Sequence, residues 1–121
     1  MDKQITKVNG VNIAVVSSNT PIITDAQSAL DFMMTIQHYD NVDRVAVNKQ
    51  AFAEDFFQLS TGIAGEVLQK FTNYAVKIAI YGDFSVYTSK SLQDFIGECN
   101  RGNHIFFMDD ADSAITKLAN V

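Results

Sequence analysis

The chain has 121 residues and a mass of 13.4 kDa, enough for one domain with its own core and too little for a second. Its composition, 47% hydrophobic and 19% charged with a single proline, excludes a disordered or fibrous chain. Fourteen acidic against nine basic side chains leave a net charge of −5 and a pI near 4.7, which argues against nucleic acid and anionic membranes as partners.

The elements follow in chain order. Ile5 to Val8 and Val11 to Val16 are β-rich runs around Asn9-Gly10, whose tolerance of positive φ suits a type I′ hairpin turn. After Pro21, Thr24 and Gln27 have the spacing of a capping box. Ala26, Ala29, Leu30 and Met33 then recur at helical spacing, predicting a first helix that ends near His38. Val42 to Val47 reads as a third strand, with Val45, Ala46 and Val47 suited to burial on both faces. Ala51 to Leu59 reads as a helical turn pressing phenylalanines inward, and Ile63, Val67, Leu68, Phe71 and Tyr74 mark a second helix. Val76 to Tyr81 is the fourth strand, Gly82 to Lys90 a polar loop, and Leu92, Phe95, Ile96 and Cys99 form the stripe of a third helix closed by Gly102 in a left-handed cap. Ile105 to Met108 is the last strand, and Asp109 or Asp110 caps a final helix with Ala111, Ala114, Ile115 and Leu118 inward.

The order is ββαβαβαβα, an N-terminal β-hairpin and then alternating helices and strands. It implies one α/β domain with a mixed, mainly parallel sheet and right-handed crossovers. Cys99 is the only cysteine, so no intrachain disulfide forms. The N-terminus has no apolar signal core and no run is long enough to span a bilayer. The expectation is a soluble, cytoplasmic protein.

The run Glu54-Asp55-Phe56-Phe57 through Thr61-Gly62-Ile63-Ala64-Gly65-Glu66, then Gly82-Asp83-Phe84-Ser85, Tyr87-Thr88-Ser89-Lys90-Ser91 and Asp94-Phe95-Ile96, resembles the bacterial family DUF4180, over roughly Arg44 to Met108. The resemblance implies membership and no activity. In element order the chain also resembles the STAS domain of bacterial anti-sigma-factor antagonists, in which Asp-Ser-Ser-Gly or Asp-Ser-Thr-Gly opens the helix after the third strand. Leu59-Ser60-Thr61-Gly62 stands at that place, with Leu59 instead of the aspartate. The resemblance implies that Thr61 is a phosphoacceptor for a partner kinase. Ordinary capping chemistry accounts for the same triplet.

A phosphate on Thr61 would bring about −1.5 to −2 charge to a helix N-terminus, where anions are favoured. On that reading Thr61→Glu abolishes partner binding and leaves the melting transition nearly unchanged. The second candidate surface is the Gly82–Lys90 loop. Asp83, Ser85, Tyr87, Thr88, Ser89 and Lys90 follow a buried strand and precede a helix N-terminus, where α/β folds gather anionic ligands. A turn at Asp83 and a cap at Ser89 or Ser91 explain the same residues structurally.

Signatures of catalysis and of a metal or other cofactor are missing. His38 and His104 have no ligand spacing, Cys99 lies on an apolar stripe, and no nucleophile elbow or P-loop is present. Glu54-Asp55 and Asp109-Asp110 stand beside helix starts, where carboxylates complement the dipole. Phe56-Phe57 and Phe106-Phe107, if extended, place one ring of each pair outside the core, either exposed or covered by a second subunit of a homodimer. The reading is a small non-enzymatic regulatory module of STAS-like type that binds a protein partner through Ser60, Thr61, Gly62 and the 82–90 loop. The alternatives are a sensor or enzyme for a small anionic, phosphate-containing ligand on the same loop, and an oligomeric scaffold. A ligand site needs a concave pocket at Asp83, Ser85 and Tyr87; an interaction module needs an exposed patch at Thr61.

Overall fold

The computed structural model describes residues 1–121, the side chain of Tyr39 apart. Strands β1 (Asp2–Val8) and β2 (Val11–Ser17) pair antiparallel through Asn9 and Gly10, whose φ values of 53° and 79° suit the tight primed turn expected. Then come α1 (Ala26–Met34), β3 (Arg44–Asn48), α2 (Ile63–Asn73), β4 (Lys77–Tyr81), α3 (Lys90–Asn100), β5 (Ile105–Met108) and α4 (Ala111–Ala119). The five strands stand in sequence order, β2 to β5 all parallel, so the α/β fold with a mixed sheet is as expected.

That order dictates the layers. Parallel crossovers that are all right-handed and all step the same way put their helices on one face. Accordingly α1, α2 and α3 cover the face that carries Val45, Val47, Ile78, Ile80 and Phe107. Helix α4 follows the last strand and is tied to no crossover. It closes the other face, packing Ala114, Leu118 and Ala119 on Ile13, Ala46, Ala79 and Phe106. The strands from Val45 to Val47 and Ile78 to Ile80 are fully buried because both faces are covered.

Several local readings change. Helix α1 is capped by Asp25 and not Thr24. The Asp25 carboxylate accepts from the Ser28 N–H at 2.8 Å and the Ser28 hydroxyl accepts from the Asp25 N–H at 3.0 Å, so the box lies one residue later. The last turn toward His38, Thr35–Tyr39, is π-helical. The stretch from Ala51 to Leu59 is split into short 3₁₀ turns, Lys49–Ala51, Glu54–Phe57 and Leu59–Thr61. Its continuity is broken at Phe52, which bridges Ile23 in parallel fashion.

Gly102 is not left-handed. Helix α3 ends on Arg101 in the right-handed region and Gly102 N–H bonds Cys99 O in a tight turn. Both rings of each adjacent phenylalanine pair are buried: Phe56 and Phe57 because a 3₁₀ turn does not alternate, Phe106 and Phe107 because the sheet has no open face. The pattern that suggested a subunit covering one ring is therefore satisfied within the chain.

Candidate functional site

Two connections meet at the carboxyl end of the sheet, the 3₁₀ turns between β3 and α2 and the loop between β4 and α3. Aromatic rings join them. Phe57 lies against Phe56 at 4.9 Å and stacks on Tyr87 at 5.0 Å with 18° between planes, while Phe84 reaches both Phe57 and Phe107. Burial of such rings, with pair geometry worth about 0.5–1.5 kcal/mol each, fixes the loop against the turns.

Polar contacts complete the join. Gly82, with φ of +153°, brings the chain so close to Lys49 that a Cβ there would lie 2.9 Å from the Lys49 Cβ. Lys49 Nζ donates to the Asp83 carbonyl at 2.9 Å and sits 4.7 Å from the Tyr87 ring centre. The Tyr87 hydroxyl donates to Glu54 at 3.1 Å, and Gln93 donates to the carbonyls of Phe84 and Tyr87. Burial, then the Glu54 charge and its hydrogen bond, push the Tyr87 phenol above its ordinary value, so it keeps its proton at neutral pH.

Between the joined segments lies an open cleft of about 760 Å³, lined by residues 57–60, 86–89, Ser91 and Leu92. Its wall carries no charged side chain. Hydroxyls come from Ser60, Tyr87, Thr88, Ser89 and Ser91, an amide from Gln58, and apolar surface from Leu59 and Val86, the latter 60% exposed, above a floor that includes buried Leu92.

The residues singled out from sequence divide into two groups. Ser60, Tyr87, Thr88 and Ser89 line the cleft together, although 27 positions separate Ser60 from Tyr87. Thr61, Gly62, Asp83, Ser85 and Lys90 do not. The Thr61 hydroxyl donates to the carbonyls of Asp55 at 2.9 Å and Gln58 at 2.8 Å and accepts from Ile63 N–H, locking the Leu59–Thr61 turn. Gly62 holds φ of 78° at the start of α2. Asp83 accepts from the hydroxyl and N–H of Ser85, which with Lys49 nearby hold its carboxyl below the ordinary carboxylate range. Ser89 caps α3 by accepting from Leu92 N–H, and Lys90 pairs with Asp94 on the exposed face.

Val86 of the 82–90 loop completes the wall with Phe57, Gln58, Leu59, Ser91 and Leu92, none of which was singled out individually as a site residue, nor were Lys49 and Glu54 behind it. A hydrophobic residue amid polar neighbours, as at Val86, was the one signal available. Elsewhere, Cys99 is half-buried, and burial together with the Glu98 charge raises its thiol to about 11, so it is a neutral packing group. Among the described residues no three His, Cys, Asp or Glu side chains gather as a metal site would require, and no helix is long and apolar enough to cross a membrane.

Fold and cleft define a one-sheet α/β domain bearing an uncharged recess at the carboxyl end of its parallel strands. The chain belongs to the DUF4180 family, described as a domain of unknown function, whose profile matches residues 8–118. Searches of curated proteins and of solved structures gave no match.

Proposed function

We propose that the protein is a non-enzymatic regulatory binding module, and that the cleft between residues 57–60 and 86–92 receives an extended segment of a partner protein. The observation that carries this reading is the composition of the wall. Hydroxyls and an amide can bond a peptide main chain, Leu59 and exposed Val86 supply apolar contact, and no fixed charge has to be stripped of water. Tyr87, the one titratable group on the wall, holds its proton toward Glu54, which favours binding over acid-base chemistry.

The likeness in element order to STAS domains supports a regulatory role, with Thr61 as phosphoacceptor. A phosphate on Thr61 Oγ1 removes the proton donated to Asp55 and Gln58 and adds charge beside α2. The turn that sets Leu59 and Ser60 in the wall would then be released, changing the cleft itself. Protein localisation follows the same reading: a cytoplasmic partner and a cytoplasmic kinase.

The test is an affinity capture from the native host with wild type, Val86→Glu and Thr61→Glu in parallel. A partner retained by wild type and lost from both variants, all three folded by circular dichroism, is the expected result. Equal capture by all three refutes the reading. A small-ligand role remains the second reading, favoured by a volume in the range of metabolite sites and by α3 opening on the cleft through Ser89 and Ser91. It predicts a thermal shift with a phosphate-containing metabolite that Val86→Glu abolishes.

A further inference from the structure

The sheet has two edge strands, and their protection differs. In β1 the Val8–Val11 pair closes a two-residue turn and is hydrogen-bonded, so by alternation the main-chain groups of Lys3, Ile5 and Lys7 face outward. Antiparallel pairing of two such strands about Ile5 would set the exposed Lys7 of each copy against Lys3 of the other, a lysine held by Asp40 of its own chain at 2.7 Å. Like charges directly opposite are destabilising, and lysines on an edge are a common means of keeping it unpaired.

Strand β5 has no such charge. It reads Ile105-Phe106-Phe107-Met108, an uncharged and β-prone run. The carbonyls of His104 and Met108 accept from Ile78 and Gly82 at the two ends of the β4 pairing, so Ile105 and Phe107 direct their main-chain groups away from β4. At Phe107 both groups are taken by one side chain. Phe107 N–H donates to Asn100 Oδ1 at 2.8 Å, and Asn100 Nδ2 donates to the Phe107 carbonyl at 3.3 Å.

We propose that the Asn100 amide, on the last residue of α3, stands in for one residue of a sixth strand and keeps two copies of the chain from joining their sheets through β5. With the amide gone, antiparallel pairing about Phe106 would place Ile105 opposite Phe107 of the second copy with no charges opposed. The edge is reachable at its C-terminal end, where a recess of about 370 Å³ lined by Asn100, Phe107, Met108, Asp109, Ser113 and Lys117 opens beside Phe107. A side-chain amide bonded to both main-chain groups of one residue recurs at Asn48 and Ser18, where it prolongs β3 alongside the end of β2. The guard is independent of what the cleft binds.

The test compares wild type with Asn100→Ala, Asn100→Ser and Asn100→Asp by light scattering across a concentration series, with far-ultraviolet circular dichroism as the check on folding. Serine keeps a polar residue on the helix but is too short to reach Phe107. Aspartate replaces the amide with an edge charge. The Ala and Ser variants are expected to fold and to reach roughly twice the wild-type mean mass at high concentration, as isologous pairing requires, while the Asp variant keeps the wild-type mass. Folded Ala and Ser variants with wild-type mass overturn the proposal. So does equal association of the Asp variant, which would trace the effect to lost packing, and so does loss of folding in both the Ala and Ser variants, which would make Asn100 a structural tie alone.

Discussion

The ring of Tyr87 stacks on that of Phe57 at 5.0 Å, joining two connections thirty positions apart into one wall. The same ring carries Lys49 near its face and bonds Glu54 through its hydroxyl, so one side chain collects three ties.

Removing the ring and removing the hydroxyl should therefore differ. Tyr87→Ala is expected to cost about 2 kcal/mol in urea unfolding, from lost area and lost stacking. Tyr87→Phe should cost less than about 1 kcal/mol, since only an exposed hydrogen bond goes. In the wild type the phenol titrates above its ordinary value of 10. Because the folded value is raised, the stability it contributes is complete below pH 10 and is lost as pH rises through the folded value. An ultraviolet titration in which all four tyrosines ionise together at the ordinary value would contradict this.

Gly82→Ala tests the close approach behind the cleft. A Cβ at φ of +153° is strained, and it would meet Lys49 Cβ at 2.9 Å, an atom too near the backbone to swing aside. A loss of about 2 kcal/mol is expected. Wild-type stability in the alanine variant would show that the Lys49 contact is slack.

Thr61 and its neighbour Ser60 should behave differently. The Thr61 hydroxyl makes three local hydrogen bonds, so Thr61→Val should cost about 1 kcal/mol, whereas exposed Ser60→Ala should stay within about 0.5 kcal/mol. On the same ground Thr61→Glu is expected to lower the melting transition, in contrast to the unchanged melting that the sequence suggested. Thermal unfolding of the three variants decides it.

Acid should weaken the protein partly through its helix caps. The carboxylates of Asp25 and Asp110 accept hydrogen bonds from the N–H groups of Ser28 and Ser113, which together with the nearby serine hydroxyls hold both carboxyls below the ordinary carboxylate range. Their contribution is present above the unfolded value and lost as pH falls through the folded ones. Asparagine caps without titrating, so a double Asp25→Asn, Asp110→Asn variant should show a shallower fall in urea midpoint below about pH 4 than the wild type. Identical slopes would remove the caps from the acid response.

Local chemistry in the chain determined its elements and their order. Asn9-Gly10 dictates a primed turn, the valine and isoleucine runs are buried strands, and Asp110 and Ser89 cap helices whose apolar stripes are visible by period alone. Tertiary structure decided the rest. Pairing of Phe52 with Ile23 cut a helical turn into 3₁₀ pieces, and coverage of both sheet faces buried adjacent phenylalanines that alternation would separate. The cleft is likewise a product of assembly, since Ser60 and Tyr87 share a wall only because rings from two connections stack there. Periodicity reports which face of an element is apolar. It holds no information on which distant segment will meet that face, and so none on Lys49 beside Gly82 or Asn100 beside Phe107.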